Sequence, residues 1–272
     1  MISAELLLEL CFFIWFGLIL GSFFNVLIYR LPAGISVITP GSACPSCGHK
    51  ITALENIPLL SYLFLGGKCS KCKTSISLQY PAIELLTAII AASYWFFAAS
   101  PFISQDTSPF TYIYQGSTLI AVLLLVPISV IDIRHMIIPD SLSLGGLTIA
   151  ILLAFMPGDI TPLQMVLGIL AGGGTLYVIG IIGSATLKKE ETMGGGDIKL
   201  MAFFGALLGW QGAAFAIVAG SFAGSIIGIL LIGLKITRRD EPIPFGPFLA
   251  LGILLYALFG DILIPLIFAL YQ

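Results

Sequence analysis

Several stretches of this chain run far longer without a charge than a soluble fold allows. Leu10–Tyr29 is uncharged for 20 residues between Glu9 and Arg30, and Leu200–Leu234 is uncharged for 35 between two lysines. About 20 apolar residues at ~1.5 Å each cross the ~30 Å hydrocarbon core of a bilayer. Backbone in lipid must satisfy its own N–H and C=O groups, so such runs fold as helices. The composition agrees: 58% of residues are hydrophobic, 10% are charged and the mean hydropathy is +1.07. A soluble domain carries about a quarter charged residues. The chain reads as an all-α polytopic membrane protein. It has no block of like charge to suggest nucleic-acid binding, and its net charge of −2 indicates no particular partner.

Charge placement orders the helices. The first span, Leu10–Tyr29, follows Glu5 and Glu9 rather than a basic segment, so it reads as retained, with its N-terminus outside. The second runs from Leu85 to Gln105, into an outer loop over 100–112 that contains Asp106. The third covers Tyr112–Ile131, the fourth Ser141–Met156, reaching the outside near Asp159, and the fifth Leu163–Ala185, ending at Lys188 and Lys189. The stretch Leu200–Leu234 is too long for one span and is expected to be a hairpin turning at Gly209-Trp210-Gln211-Gly212, its first arm short. Lys235–Asp240 is an inner loop, and Phe248–Ile267 is the eighth span. About eight transmembrane helices with both termini outside put all twelve basic residues on the cytoplasmic side, as the positive-inside rule requires. Glycines 168, 172, 173, 174, 220, 224 and 228 are spaced for close helix packing. The expected organisation is a first helix over 1–30, a cytoplasmic four-cysteine subdomain over 31–80 and a transmembrane domain over 81–272.

Four cysteines form Cys44-Pro45-Ser46-Cys47 and Cys69-Ser70-Lys71-Cys72. Two CxxC pairs complete a tetrahedral site, so Cys44, Cys47, Cys69 and Cys72 are expected to bind a structural Zn²⁺ in a small zinc-ribbon-like loop. Gly48 and Lys71 suit the tight knuckle turns. A loop this small buries little core, and the metal would supply folding free energy. A redox role competes, but the cytoplasm disfavours stable disulfides. His49 is a bystander beside four thiols, and Cys11 a small apolar residue of the first span.

Asp132 and Asp197 lie at the ends of apolar runs and, on this topology, at one membrane face. Intramembrane carboxylates are costly and mark functional sites. Two together cannot both ionise easily, so one keeps its proton and the pair titrates as a unit. The ionised member can take a proton from water while the other donates to a carbonyl oxygen, which is peptide hydrolysis without a covalent intermediate. The glycines at 194–196 let a substrate backbone approach closely. Each aspartate could instead only cap a helix; that reading is strongest for Asp140, which could also support Asp132. Glu84 is expected to pair with a basic loop residue, Lys199 to stabilise Asp197 or anchor the interface, and Asn25 to need a partner in the protein interior.

These segments resemble the bacterial type IV prepilin peptidases, the GxGD-type aspartic leader peptidase/N-methyltransferases. The resemblance rests on Gly21-Ser22-Phe23-x-Asn25-Val26-x-Ile28-x-Arg30-x-Pro32, the cysteine tetrad with His49, Asn56-Ile57-Pro58-x-Leu60-Ser61 and Tyr80-Pro81-x-x-Glu84-Leu85. It continues through Asp132, Ile138-Pro139-Asp140, Gly194-x-Gly196-Asp197-x-Lys199-Leu200 and Ile243-Pro244-Phe245-Gly246-Pro247-Phe248. Gln79 stands where many members have Arg, and Gly66-Gly67-Lys68 is less basic than usual.

The resemblance implies a bacterial inner-membrane endopeptidase whose aspartate pair, Asp132 and Asp197, acts at the cytoplasmic face. It would cleave prepilins or pseudopilins of type IV pili or type II secretion after the leader's terminal glycine. It also implies N-methylation of the new N-terminal residue with S-adenosylmethionine, whose site the motifs do not place. Partners would be the precursor and membrane lipid. A peptidase without methyl transfer, a carboxylate-based proton- or cation-coupled transporter and a zinc-held scaffold for pilus assembly remain alternatives; the last two lack the expected midplane charges and repeats, or predict indifference to Asp197.

Overall fold

The computed structural model describes residues 4–99, 108–157, 160–187, 192–238 and 241–269. Asp106, Asp159, Lys188, Lys189, Arg239 and Asp240, used above to orient the loops, lie outside the described residues. The chain divides into two compact units, Met1–Ala99 and Ser100–Gln272. Among the described residues there is no β-strand, and six helices are long and apolar enough to cross a membrane.

In the first unit α1 (Ala4–Arg30) packs on α3 (Gln79–Tyr94), which continues as a π-helical turn over Trp95–Ala99. The short α2 (Leu60–Phe64) lies in the loop between them. Close approach is what Gly17 and Gly21 permit: a methyl group on either would stand 2.6 Å from a Cα of α3, that of Ala88 or Glu84. Phe24, Leu27 and Ile28 of α1 and Ile83, Ala88 and Ala91 of α3 are buried, while Leu8, Phe12 and Trp15 face outward, as lipid-facing residues do. Helix α3 starts at Gln79 rather than at Leu85, because its polar first turn has partners. Asn25 donates to the carbonyls of Gly21 and Tyr80, both at 3.2 Å, and accepts from the Gln79 amide at 3.3 Å. The interior partner expected for Asn25 is therefore the start of α3.

The second unit contains α4 (Pro109–His135), α5 (Asp140–Leu153), α6 (Pro162–Ile169), a π-helical turn over Leu170–Gly174, α7 (Thr175–Leu187), α8 (Gly195–Gly233) and α9 (Gly246–Ala269). Helix α8 is broken at Gly209 (φ 75°, ψ 179°), a conformation that is essentially glycine-only. A methyl group on Gly172 would meet both the Met201 carbonyl and the Ala213 side chain. Those residues would be ~18 Å apart on a straight helix, so α8 is a hairpin. Counting its two arms, the 14-residue α5 and the other long segments gives eight apolar helical rods. Gly168 faces Gly205 with no room for a Cβ on either, and Gly220 lies against the Phe248 carbonyl. The glycine spacing serves helix packing, as expected.

Candidate active site and metal centre

The cysteine loop is built from two copies of one local turn. In the first, the Cys44 N–H donates to the His49 carbonyl at 2.9 Å and the Gly48 N–H to the Cys44 carbonyl at 2.9 Å; in the second, the Cys69 N–H donates to Thr74 at 2.9 Å and the Lys73 N–H to Cys69 at 3.1 Å. Each copy closes with an antiparallel bridge, Ala43 to Lys50 and Lys68 to Ser75. The left-handed residues are Gly48 (φ 69°) and Lys73 (φ 59°), so the second turn pivots at Lys73 and not at Lys71.

The four thiols converge within 4.8 Å of one another, with Cys44 and Cys72 sulfurs 3.8 Å apart and Cys47 and Cys69 sulfurs 4.0 Å apart. Sulfurs placed ~2.3 Å from one tetrahedral ion sit ~3.8 Å from each other. The donor set and spacing therefore fit a closed four-thiolate metal site. The thiols are unequal. The Thr74 hydroxyl and N–H draw the Cys72 thiol down to about 6, and the N–H groups of Ser46 and Cys47 lower Cys44. At Cys47 the His49 N–H favours the thiolate, but desolvation and the sulfurs of Cys72, Cys44 and Cys69 outweigh it and push the thiol up to about 11. A cation at the centre removes that mutual repulsion.

His49 turns away from the sulfurs and pairs with Glu55 at 3.2 Å. Glu55 also accepts from the Ser70 hydroxyl and from the Thr52 N–H and hydroxyl, both at 2.9 Å, which ties the two turns together.

The two aspartates belong to different helices of the second unit. Asp132 lies in the last turn of α4, which ends on the left-handed Met136. Asp197 lies in the first turn of α8, after the glycines at 194–196. Both are buried, at 6% and 9% exposure. The Gly246 N–H, at the start of α9, donates to Asp132 Oδ2 at 3.0 Å. A methyl group on Gly246 would stand 2.7 Å from that oxygen, and one on Gly194 would stand 2.7 Å from Asp197 Oδ2.

Ile138 packs against two of the neighbouring glycines: it would meet a methyl group on Gly196 at 2.9 Å and one on Gly246 at 3.3 Å. The two carboxyls are close enough to interact electrostatically. Asp197 Oδ1 is buried without a hydrogen-bond partner among the described residues. A buried acceptor left so costs free energy, which is tolerated where a reacting group supplies the partner.

The other acids go elsewhere. Asp140, in the first turn of α5 after the N-cap Pro139, pairs with Lys199 at 2.7 Å on an exposed edge. Lys199 thus holds Asp140 rather than Asp197. Glu84 is buried and accepts from the Leu59 N–H at 2.8 Å and from the Ser22 hydroxyl, so its partner is backbone and hydroxyl rather than a basic residue. The roles of Gly246 and Ile138 are not evident from residue type; their sequence signals are Ile138-Pro139-Asp140 and Ile243–Phe248, two of the segments that carry the resemblance.

Two family models match the chain, one to each unit. Residues 15–97 match the bacterial peptidase A24 N-terminal domain, and residues 119–229, which contain Asp132 and Asp197, match the type IV leader peptidase family. The prepilin leader peptidase/N-methyltransferase of Aeromonas salmonicida is 37% identical over 90% of this chain and 89% of its own length. This chain belongs to the type IV leader peptidase family. The proteins of the same name from Aeromonas hydrophila and Pseudomonas aeruginosa are 36% and 34% identical, each over 90% of this chain. No solved structure matches it.

Proposed function

We propose that this member of the family is a membrane-embedded aspartic endopeptidase that removes the leader of prepilins and pseudopilins after its terminal glycine, and then methylates the new N-terminus. The observation that carries the cleavage reading is the buried pair itself: two carboxyls on α4 and α8, close enough to interact, each flanked by a glycine that leaves its oxygen uncrowded.

In this reading one aspartate, ionised, takes a proton from the attacking water while the other, protonated, gives one to the scissile carbonyl oxygen. The resulting gem-diol collapses as the leaving nitrogen takes a proton back from the pair. The Gly246 N–H fixes the orientation of Asp132, and Asp197 Oδ1 is the free acceptor or donor toward water or substrate. Cys44, Cys47, Cys69 and Cys72 would hold Zn²⁺ as a structural ion. S-adenosylmethionine, when bound, would supply the activated methyl group for the new N-terminal amine. The basic loops and the cysteine subdomain face the cytoplasm from the bacterial inner membrane.

The test is mass spectrometry of a prepilin incubated with the full chain in lipid, with and without S-adenosylmethionine, beside Asp132→Asn and Asp197→Asn. Loss of the leader and gain of one methyl group in the parent protein, with neither variant cleaving, is the expected result. Cleavage by either variant would remove the aspartate pair from the mechanism; cleavage without added mass would leave a peptidase alone.

A further inference from the structure

The first unit contains a cavity of about 370 Å³ whose lining includes neither aspartate of the pair. One wall is a single stripe of α1: Ile19, Ser22, Phe23, Val26 and Arg30, at spacings of 3, 1, 3 and 4, cover the last three turns of one helix face. The roof is the loop from Val37 to Ser42, leading directly into Cys44, and the remaining edge is Asn56 and Pro58.

Both sides are pinned. The Arg30 guanidinium donates to the Ser36 carbonyl at 2.9 Å, and Ser36 Oγ accepts from the N–H groups of Ile38 and Thr39 at 3.3 Å, which folds the roof over the stripe. Behind the wall the buried Glu84 accepts from Ser22 and from Leu59, the residue after Pro58. Leu59 holds a left-handed φ of 60°, a conformation uncommon for a residue with a branched side chain. A buried carboxylate and a strained residue at one wall mark a functional place rather than a packing defect.

The volume is that of a small-molecule site, roughly 300–1,000 Å³. Its chemistry is specific: apolar surfaces from Ile19, Phe23 and Val26 for a flat ring, neutral hydrogen-bonding groups at Ser22, Ser42 and Asn56, and one fixed cation, Arg30. An aromatic base, a diol and an amino-acid carboxylate on one molecule match that set. The relatives' name carries two activities and the chain has two matched regions, with the aspartate pair wholly in the second.

We propose that this cavity is the S-adenosylmethionine site, with the Arg30 guanidinium on the carboxylate, Phe23 and Val26 against the base, and Ser42 and Asn56 on the sugar. The proposal rests on the methyl-transfer half of the reading above. It also gives the cysteine cluster a role, since the ion fixes the segment that continues from the roof.

The test is equilibrium binding of radiolabelled S-adenosylmethionine to the full chain in lipid nanodiscs, followed by ultraviolet cross-linking and peptide mapping, with leader cleavage read in the same samples. Gly41 lines the cavity and an added Cβ there meets nothing within 4 Å, so Gly41→Trp fills the space from a tolerant position. Gly41→Trp is expected to abolish binding, and Arg30→Gln to weaken it about tenfold or more by removing a charge-assisted contact. The label should map to peptides containing residues 19–42 or 56–58.

Parent-like binding in both variants, or label on other peptides, overturns the proposal; a phospholipid retained in the cavity with donor binding unchanged does the same and names the occupant. Should Gly41→Trp lose cleavage as well, it has misfolded, and Arg30→Gln with the label map decides. If the parent protein cleaves but neither binds the donor nor adds a methyl group, the methyl-transfer reading itself has failed and this site fails with it.

Discussion

The two clusters of ionisable groups in this chain are assembled by opposite means. The four thiols are gathered by local chain: two turns of identical hydrogen-bond pattern, each closed within a few residues, on a loop that is largely exposed. The two carboxyls are gathered by helices 65 positions apart (197 − 132) and are buried, with backbone from a third helix completing the site. A local cluster close to water can tolerate four like-charged ligands because a bound cation neutralises them. A buried pair has no such resource and depends on shared protons and backbone donors. Metal removal should therefore disturb the first cluster and leave the geometry of the second intact, whereas loss of one carboxyl should do the reverse.

The comparison breaks most sharply at the aspartates. Asp197→Asn or Asp132→Asn should lower leader cleavage by about 10²–10⁴-fold, the usual worth of positioned acid–base groups, with bound metal unchanged by elemental analysis. A variant that kept cleavage would show the pair to be structural. Next in size is Cys69→Ala, at the most buried of the four thiols. It should release the metal and expose the loop to limited proteolysis; retention of one metal per chain by this variant would rule out the four-thiolate site. Its effect on cleavage should be much smaller than that of either aspartate change.

A third change sharpens the comparison at the buried pair. Gly246→Ala puts a methyl group 2.7 Å from Asp132 Oδ2, so the carboxyl or the start of α9 must move. Displacement of a catalytic group by ~1 Å can cost on the order of 10²-fold in rate. On the proposed mechanism the loss should fall on kcat rather than KM, since Asp132 would act on the reacting atoms. A parent-like kcat would mean that the Gly246 contact does not orient Asp132.

How much of this the sequence disclosed follows from the same contrast. The cysteine spacing is local, and the convergence of the four thiols in a ribbon-like loop, without His49, could be read from it. Helix number came from apolar length, and the reversal in α8 fell at Gly209, the first residue of the turn inferred from a run too long for one span. The aspartates were legible by type, because carboxylates in apolar runs are costly. Their surroundings were not. That Ile138 packs against Gly196 and Gly246, that Gly246 donates to Asp132 and that Lys199 reaches Asp140, 59 positions away, are outcomes of helix packing that no periodicity encodes. Glu84 was assigned to a basic partner because charge pairing is the simplest expectation; the fold meets it instead with a backbone N–H and a hydroxyl.

The smallest expected effect lies at Glu55, the acid that ties the two cysteine turns together. Donation by the Ser70 hydroxyl, then by the Thr52 N–H and hydroxyl and by His49, holds its carboxyl down at about 2, against an ordinary 4.5. A depressed carboxylate stabilises the fold fully above its unfolded value, and that contribution is lost as pH falls through the folded one. Glu55 should therefore support the loop undiminished above about pH 4.5 and lose its contribution between there and about pH 2. The Thr52 amide proton, which Glu55 accepts, reads this directly by NMR. Its shift should stay level down past pH 4.5 and move only toward pH 2, and Glu55→Gln should abolish the movement. A midpoint near 4.5 would mean that the carboxylate is solvated and the two turns are joined by the metal alone.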